Sequence, residues 1–456
     1  MPNNNFHKLT VAQAAAGIRA GELTATELLE VLLARSDALE PTLGLWATLD
    51  VEYAMAQARD RDRALAAGEP VGVLHGVPVG IKDIYDTAGL LTTHGSPIFA
   101  DNVPDTDAVS IANLKAAGAV IMGKTVTTEF ACGDPPATLN PWNDERTPGG
   151  SSTGSAVGVA ACVFPMAMGS QTAGSVLRPA AYNGVVGMKP TMGRVSRRGV
   201  IPVSWSVDTL GTFTRTVGDA ALMLSALSGH DPSDPFSANV AVPEPVIDPD
   251  ALGRAPKIGL LRTFFLEHCD ADTLTHLEGI AARLAGTEAT VEDVIVKFDM
   301  DVLQAAHRTV MNVNAAAVHE RLFAERPQDY SPDVRRTIEI GLLTPSVTYV
   351  QSERIRRAFR EKLIEAMSPF DVVLTTTTKE YGAPSTQTTG DPRWQAPITT
   401  SGLPSVSLPS GLTPDGLPLG VQLVGMPMDE KRLLGVASWV EGILNFDAAP
   451  SLHESS

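Results

Sequence analysis

The chain is short of several things, and each shortage excludes a class of protein. It has only three cysteines in 456 residues, Cys132, Cys162 and Cys269, an odd number with no C-x-x-C spacing. That count suggests neither a disulfide framework nor a zinc site, and the thiols read as buried and reduced. The most apolar stretch, Ala156 to Met168, is 13 residues long and contains Pro165, short of the ~20 that cross a bilayer. The N-terminal "MPNNNFHKLTVAQAAAGIRAG" has no basic-then-apolar run with a cleavage site, so a soluble, cytoplasmic protein is expected. Positive charge is also scarce. Thirty-five Lys and Arg against fifty-two Asp and Glu leave a net charge of −17, which argues against nucleic acid or an anionic membrane as a partner. Aromatic residues make up 5%, which leans only faintly toward a small polar ligand.

What is present has the texture of an α/β protein. Residues 8 to 70 keep apolar residues on one helical face, with Thr24 and Thr26 offering capping oxygens. From residue 71 to about 226, short apolar runs such as "VLHGVPVGI" and "AVIM" alternate with small-residue loops and helical stretches. Residues 250 to 367 read as a helical excursion lining the substrate side, and 368 to 456 return to strand-like runs that would complete the sheet. No internal repeat or low-complexity linker divides the chain, so a single large domain is expected.

Two short motifs look informative and fail on context. "GAVIMGKT", Gly118 to Thr125, spells a phosphate loop. A true one needs its strand before the first glycine, so that backbone N–H groups wrap the phosphates; here the variable positions Ala119 to Met122 are themselves the strand. A nucleotide-binding protein using Gly118–Thr125 is thus the reading from another class, and the weaker one. "GSSTG" spells a hydrolase elbow around Ser152, but the polar "NPWNDERTP" precedes it where an apolar strand belongs. No histidine occurs between His94 and His230 to serve as its base.

The segment "TPGGSSTGSAVGVAACVFPMAMGSQTAGSVLRPAAYNGVVGMKPT", residues 147 to 191, carries more. Its small residues bring backbone close to something, either a packed core or a ligand. In "GSQTAGSV" several N–H groups can converge beside Ser175 and stabilise an oxyanion. Ser151 and Ser175 bracket a helical segment that can fold back to bring both hydroxyls together. In "GVPVGIKD", Lys82 ends an apolar strand, where a charged ammonium is costly. A lysine of pKa ~10.4 is neutral in only about 4 molecules per 10,000 at pH 7, and burial can lower that pKa by ~3 to 5 units. A desolvated Lys82 could then draw a proton through one serine from the other, with no histidine required.

These residues resemble the amidase signature family. The resemblance rests on "LHGVPVGIKD", "GAVIMGKTVTTEFA", "LNPWN", "TPGGSSTGSAVGVAA", "GSQTAGSVLRPAAYNGVVGMKPTMGRVSRRGVIP", "VDTLGTFTRTVGDAALML" and "GLPLGVQLVG". It is dense over residues 74 to 226 and looser in the tail. It implies an α/β class fold, one α/β/α domain with a mixed, mostly parallel sheet flanked by helices. It implies Lys82 as base, Ser151 as relay following a cis peptide bond, and Ser175 as nucleophile. The backbone N–H groups of Thr172, Ala173, Gly174 and Ser175 would form the oxyanion hole, with no metal and no cofactor.

Three positions depart from the family pattern: Thr153 and Ala173 stand where glycine is usual, and Gln171 where aspartate is usual. Arg178 lies three residues after Ser175, a spacing similar to malonamidase-like enzymes, whose arginine holds a substrate carboxylate; a structural ion pair is the alternative. Glutamine-dependent transamidation subunits resemble "GGSIR" instead, with arginine two residues after the serine. Cys132, near Glu129 and Lys124, imitates a nitrilase set but reads as core. The expected function is an amidohydrolase releasing ammonia or an amine from a small carboxamide through a Ser175 acyl-enzyme. The alternative is the glutamine-hydrolysing subunit of a tRNA-dependent amidotransferase. The expected partners are a small-molecule amide, no nucleic acid and no membrane, with a homodimer left open.

Overall fold

The computed structural model describes residues 5–245 and 252–452. Its eleven strands are β1 (Trp46–Leu49), β2 (Pro78–Lys82), β3 (Val120–Thr125), β4 (Met166–Gln171), β5 (Val186–Lys189) and β6 (Thr209–Thr214), then β7 (Lys257–Leu261), β8 (Thr290–Val294), β9 (Val372–Thr376), β10 (Ser405–Leu412) and β11 (Pro418–Val424). They form one sheet in the order β1-β3-β2-β4-β6-β5-β10-β11-β9-β7-β8, flanked by helices. In the tail, β10 pairs antiparallel with β5, and the far edge beyond β9 is formed by β7 and β8.

The sheet is mixed but not mostly parallel. Six pairings are antiparallel and four are parallel. The reason is burial. Near-continuous apolar runs are the mark of a strand covered on both faces, and that is usual for parallel strands. Here the antiparallel β6 and β11 are also buried along their whole lengths, so burial on both faces does not mark a strand as parallel.

Two further elements differ from the sequence reading. The N-terminal helical part contributes the edge strand β1, only four residues long, and the excursion after residue 250 contributes β7 and β8 to the opposite edge. Thr24 does cap a helix, accepting from Glu27 N within a capping box. Thr26 instead donates its hydroxyl to Asp62 at 2.5 Å.

The "GAVIMGKT" stretch is a turn followed by β3. Helix Val109–Ala116 ends just before Gly118, which takes φ +92°, and Val120–Thr125 is extended. Extended backbone cannot wrap a phosphate. Lys124, fully buried, donates to Tyr85 O at 2.5 Å and Thr92 Oγ1 at 2.7 Å, with Asp83 at 3.4 Å.

The parallel trio β3-β2-β4 sets up the site. Lys82 closes β2, and β4 runs parallel beside it, ending at Gln171. Between them in sequence, helix Thr153–Ala160 packs under the sheet; the ring of Phe164 lies against Gly158 on the helix and Gly80 on β2, where any Cβ would collide with it. Strand ends and a helix start therefore converge at one edge of the backbone layer.

Candidate active site

Lys82 is completely buried, and its Nζ donates to Ser151 Oγ and to Ser170 Oγ, both at 2.8 Å. Burial pulls its pKa down to about 7, against a smaller upward pull from Asp208 and Cys132. The ammonium has no carboxylate in ion-pair contact among the described residues, so desolvation wins. At that value a large fraction of Lys82 is neutral near pH 7, against a few molecules in ten thousand for an exposed lysine.

Ser151 is buried, and the Gly150–Ser151 peptide bond before it is cis. The loop carrying it is held by its neighbours. Thr153 Oγ1 donates to Gly149 O at 3.0 Å and Arg178 Nη2 donates to Gly150 O at 2.8 Å. The unusual Thr153 thus adds a bond to the loop. Ser152, the serine of the apparent elbow, is fully buried and its Oγ faces the backbone of Ser170. No reagent could reach it there.

Ser175 sits on the loop leaving β4 and is partly exposed, unlike its buried neighbours. Among the described residues its Oγ has no hydrogen-bond partner, so Lys82–Ser151 is closed as a hydrogen bond and Ser151–Ser175 is not. The N–H groups of Thr172, Ala173, Gly174 and Ser175 donate to no protein acceptor among the described residues, whereas the next two are taken. Gln171 Oε1 accepts from Val176 N at 2.8 Å and Leu177 N at 3.0 Å. Four consecutive free donors beside a partly exposed hydroxyl can stabilise negative charge on an oxygen.

The unusual Gln171 also reaches further. Its Nε2 donates to Thr399 Oγ1 at 2.9 Å, and Thr399 Oγ1 donates to Ala173 O at 2.6 Å. Thr172 Oγ1 donates to the buried Asp208 at 2.6 Å. The loop is clamped from both sides. Ser170 and Thr399 escaped the sequence reading. Ser170 is visible only as one more serine before the small-residue loop, and Thr399, more than two hundred residues away, carries no local signal.

Arg178 is buried and forms no ion pair among the described residues. Besides Gly150 O it donates to Thr389 Oγ1 at 3.1 Å, while Nε and Nη1 have no partner. Burial lowers its pKa, with Tyr182, Glu380 and Asp391 pulling the other way. A structural ion pair is therefore not what holds it. The three cysteines are partly exposed and not fully buried as expected; at Cys132 desolvation, with Glu129 and Asp208 nearby, pushes the thiol up to about 12, which disfavours a thiolate nucleophile.

The sequence matches the amidase family over residues 27–434. It is 35% identical to a glutamyl-tRNA(Gln) amidotransferase subunit from Carboxydothermus hydrogenoformans, over 97% of this chain and 99% of that one. It is 34% identical to the protein of the same name from Geobacter sp. strain M21, over 94% of this chain and 96% of that one. The native peptide amidase from Stenotrophomonas maltophilia superposes with a TM-score of 0.86 at 29% identity, over 99% of this chain and all of that one.

Those names overturn the partner expectation. Relatives that match almost the whole chain are called one subunit of an enzyme for Glu-tRNA(Gln), so a lone enzyme kept apart from nucleic acid, or a homodimer, is not the setting they indicate. Net charge reports on one chain's whole surface, so it cannot by itself exclude partners of the kind those names indicate. No described helix is long and apolar enough to cross a membrane. Sequence match, fold and the architecture around Lys82 agree: this chain belongs to the amidase family and is an enzyme of amide C–N bonds.

Proposed function

We propose that the chain hydrolyses the side-chain carboxamide of glutamine and works in the cytoplasm as the ammonia-releasing subunit of a tRNA-dependent amidotransferase. In this reading Ser175 is the nucleophile, Ser151 the relay and Lys82 the base. The observation that carries the chemistry is the 2.8 Å contact between Ser151 Oγ and a fully buried Lys82 whose pKa falls to about 7. The relatives' names support the choice of glutamine and of a multi-subunit setting.

Neutral Lys82 takes the Ser151 hydroxyl proton as Ser151 takes that of Ser175, and Ser175 Oγ bonds to the amide carbon. The carbonyl oxygen gains the negative charge, opposite the free N–H groups of Thr172 to Ser175. The proton returns from Lys82 through Ser151 to the amide nitrogen, the C–N bond breaks, and ammonia leaves an ester on Ser175. Water, deprotonated by the same relay, then releases glutamate and restores Ser175. Arg178 Nε and Nη1 have no partner among the described residues, and a carboxylate such as glutamine supplies would satisfy them on a small movement that uncovers the buried guanidinium.

The test is ammonia and glutamate release from glutamine by the purified chain, alone and with the remaining subunits of a bacterial Glu-tRNA(Gln) amidotransferase. Hydrolysis that rises on adding those subunits, and falls by several powers of ten in Ser175→Ala, is expected. Turnover of other primary amides with none of glutamine under either condition would refute the choice of substrate and partner while leaving the serine chemistry standing.

A further inference from the structure

A cavity of about 690 Å3 opens beside helix Ser346–Met367, and four arginines of that helix line it: Arg354, Arg356, Arg357 and Arg360. Glu353 is the one carboxylate among its lining residues. Such a concentration of positive charge stands out in a chain of net charge −17.

The four guanidiniums are not equally engaged. Arg356 is satisfied: it pairs with Glu353 at 2.9 Å and donates to Thr400 Oγ1 at 2.7 Å and Ser206 O at 2.9 Å. Glu353 is thereby used up. Arg360 donates only to Ser401 O, and burial lowers its pKa with no carboxylate to offset it. Arg354 reaches only Gln351 Oε1, at 3.3 Å, and Arg357 has no hydrogen bond or ion pair among the described residues. Residues 354, 357 and 360 follow one another at a spacing of three, which places them along one helical face. Three guanidinium forks with spare N–H groups thus face one cavity.

The remaining wall is mixed, with apolar side chains beside the hydroxyls of Thr191, Ser206, Thr400 and Ser401. Phe236 is 43% exposed and Val350 55% exposed, and both line the cavity with Met428. A volume of this size holds an organic molecule and not merely an ion. A tetrahedral phosphate presents three acceptor oxygens and nearly two charges, so it can engage all three forks at once, which a single carboxylate cannot.

We propose that this cavity binds a small organic phosphate, a phosphate or pyrophosphate group carried on a flat apolar body as in a nucleotide. The site is separate from the Ser175 loop and does not depend on the glutamine reading. It is also unrelated to the Gly118–Thr125 motif, which lies in a strand.

Isothermal titration calorimetry on the full chain at fixed ionic strength tests it, with ADP, inorganic pyrophosphate, adenosine, succinate and a short single-stranded RNA as probes. Saturable binding of ADP and pyrophosphate is expected, ADP the tighter, with adenosine and succinate much weaker. Arg360→Gln should weaken ADP binding by roughly tenfold. The exposed Arg357→Gln should weaken it severalfold while keeping the wild-type circular dichroism and amide hydrolysis, so a folding defect cannot imitate the result. No saturable binding of either phosphate, unchanged affinity in both variants, or binding confined to the RNA would each overturn the proposal.

Discussion

At the scale of single residues, the proposed chemistry turns on how a lysine can become a base. Three buried lysines, Lys82, Lys124 and Lys189, all have pKa values lowered by burial, yet their surroundings differ. Lys124 has Asp83 at 3.4 Å and two oxygen acceptors, which keep it near 8. Lys82 has only two serine hydroxyls, groups that can pass a proton on. With Lys82 as the proposed base the neutral form is the active one, so kcat/KM should rise through a single ionisation near pH 7 and stay high to pH 9. Lys82→Ala should lose most of its activity and that ionisation with it. A profile that peaks near pH 5 and falls by pH 8 would contradict a neutral lysine base. Lys82 was legible because a lysine at the end of an apolar strand is costly and demands a reason. Ser170, its second partner, was not, because nothing local distinguishes it from the neighbouring small residues.

Elements matter because the proposed catalytic loop is shaped from outside itself. The loop after β4 has free N–H groups only if its carbonyls are held elsewhere, and a peptide unit's C=O and N–H point in opposite directions. Helix Ala396–Ser401 supplies that hold through Thr399, whose hydroxyl donates to Ala173 O. The Gly174 N–H is then turned the other way. Thr399→Val keeps the side-chain shape and removes both this bond and the acceptor of Gln171 Nε2, so kcat should fall by about 10- to 100-fold with KM little changed, since losing one oxyanion donor costs about 100- to 1,000-fold and loosening one costs less. Thr399→Ser should restore most of it. Unchanged kcat in the valine variant would reduce Thr399 to packing. Sequence reading recognised the loop by its small residues, but not its clamp, because the clamp is made by folding.

The whole molecule is a seam between two halves of one sheet. β1 to β6 come from residues before 215 and β7 to β11 from residues after 256, and among the described strands they join through β5 and β10, over three paired positions. The helical texture of residues 250 to 367 hid β7 and β8 because each is only five residues long. Lys189 stands at the seam, paired with Ser405, fully buried, donating to Leu403 O and Pro190 O. Burial lowers its pKa to about 7, with Glu430 raising it and Arg360 lowering it further. Unfolded, it would titrate near 10.4. Between pH 7 and 10.4 the unfolded chain therefore holds a proton that the folded chain has released, and stability rises with pH at about 1.4 kcal/mol per unit from this one group. Below pH 7 both states are protonated and the slope vanishes. Lys82 acts in the same direction, so the informative quantity is a difference: urea unfolding of the wild type and of Lys189→Met at pH 7.0 and 8.5. The wild type should gain about 1.6 kcal/mol more than the variant over that interval, less than the full slope because half of the folded molecules still hold the proton at pH 7.0. Equal gains would mean that Lys189 keeps its proton on folding, its two carbonyl partners outweighing the desolvation of the seam.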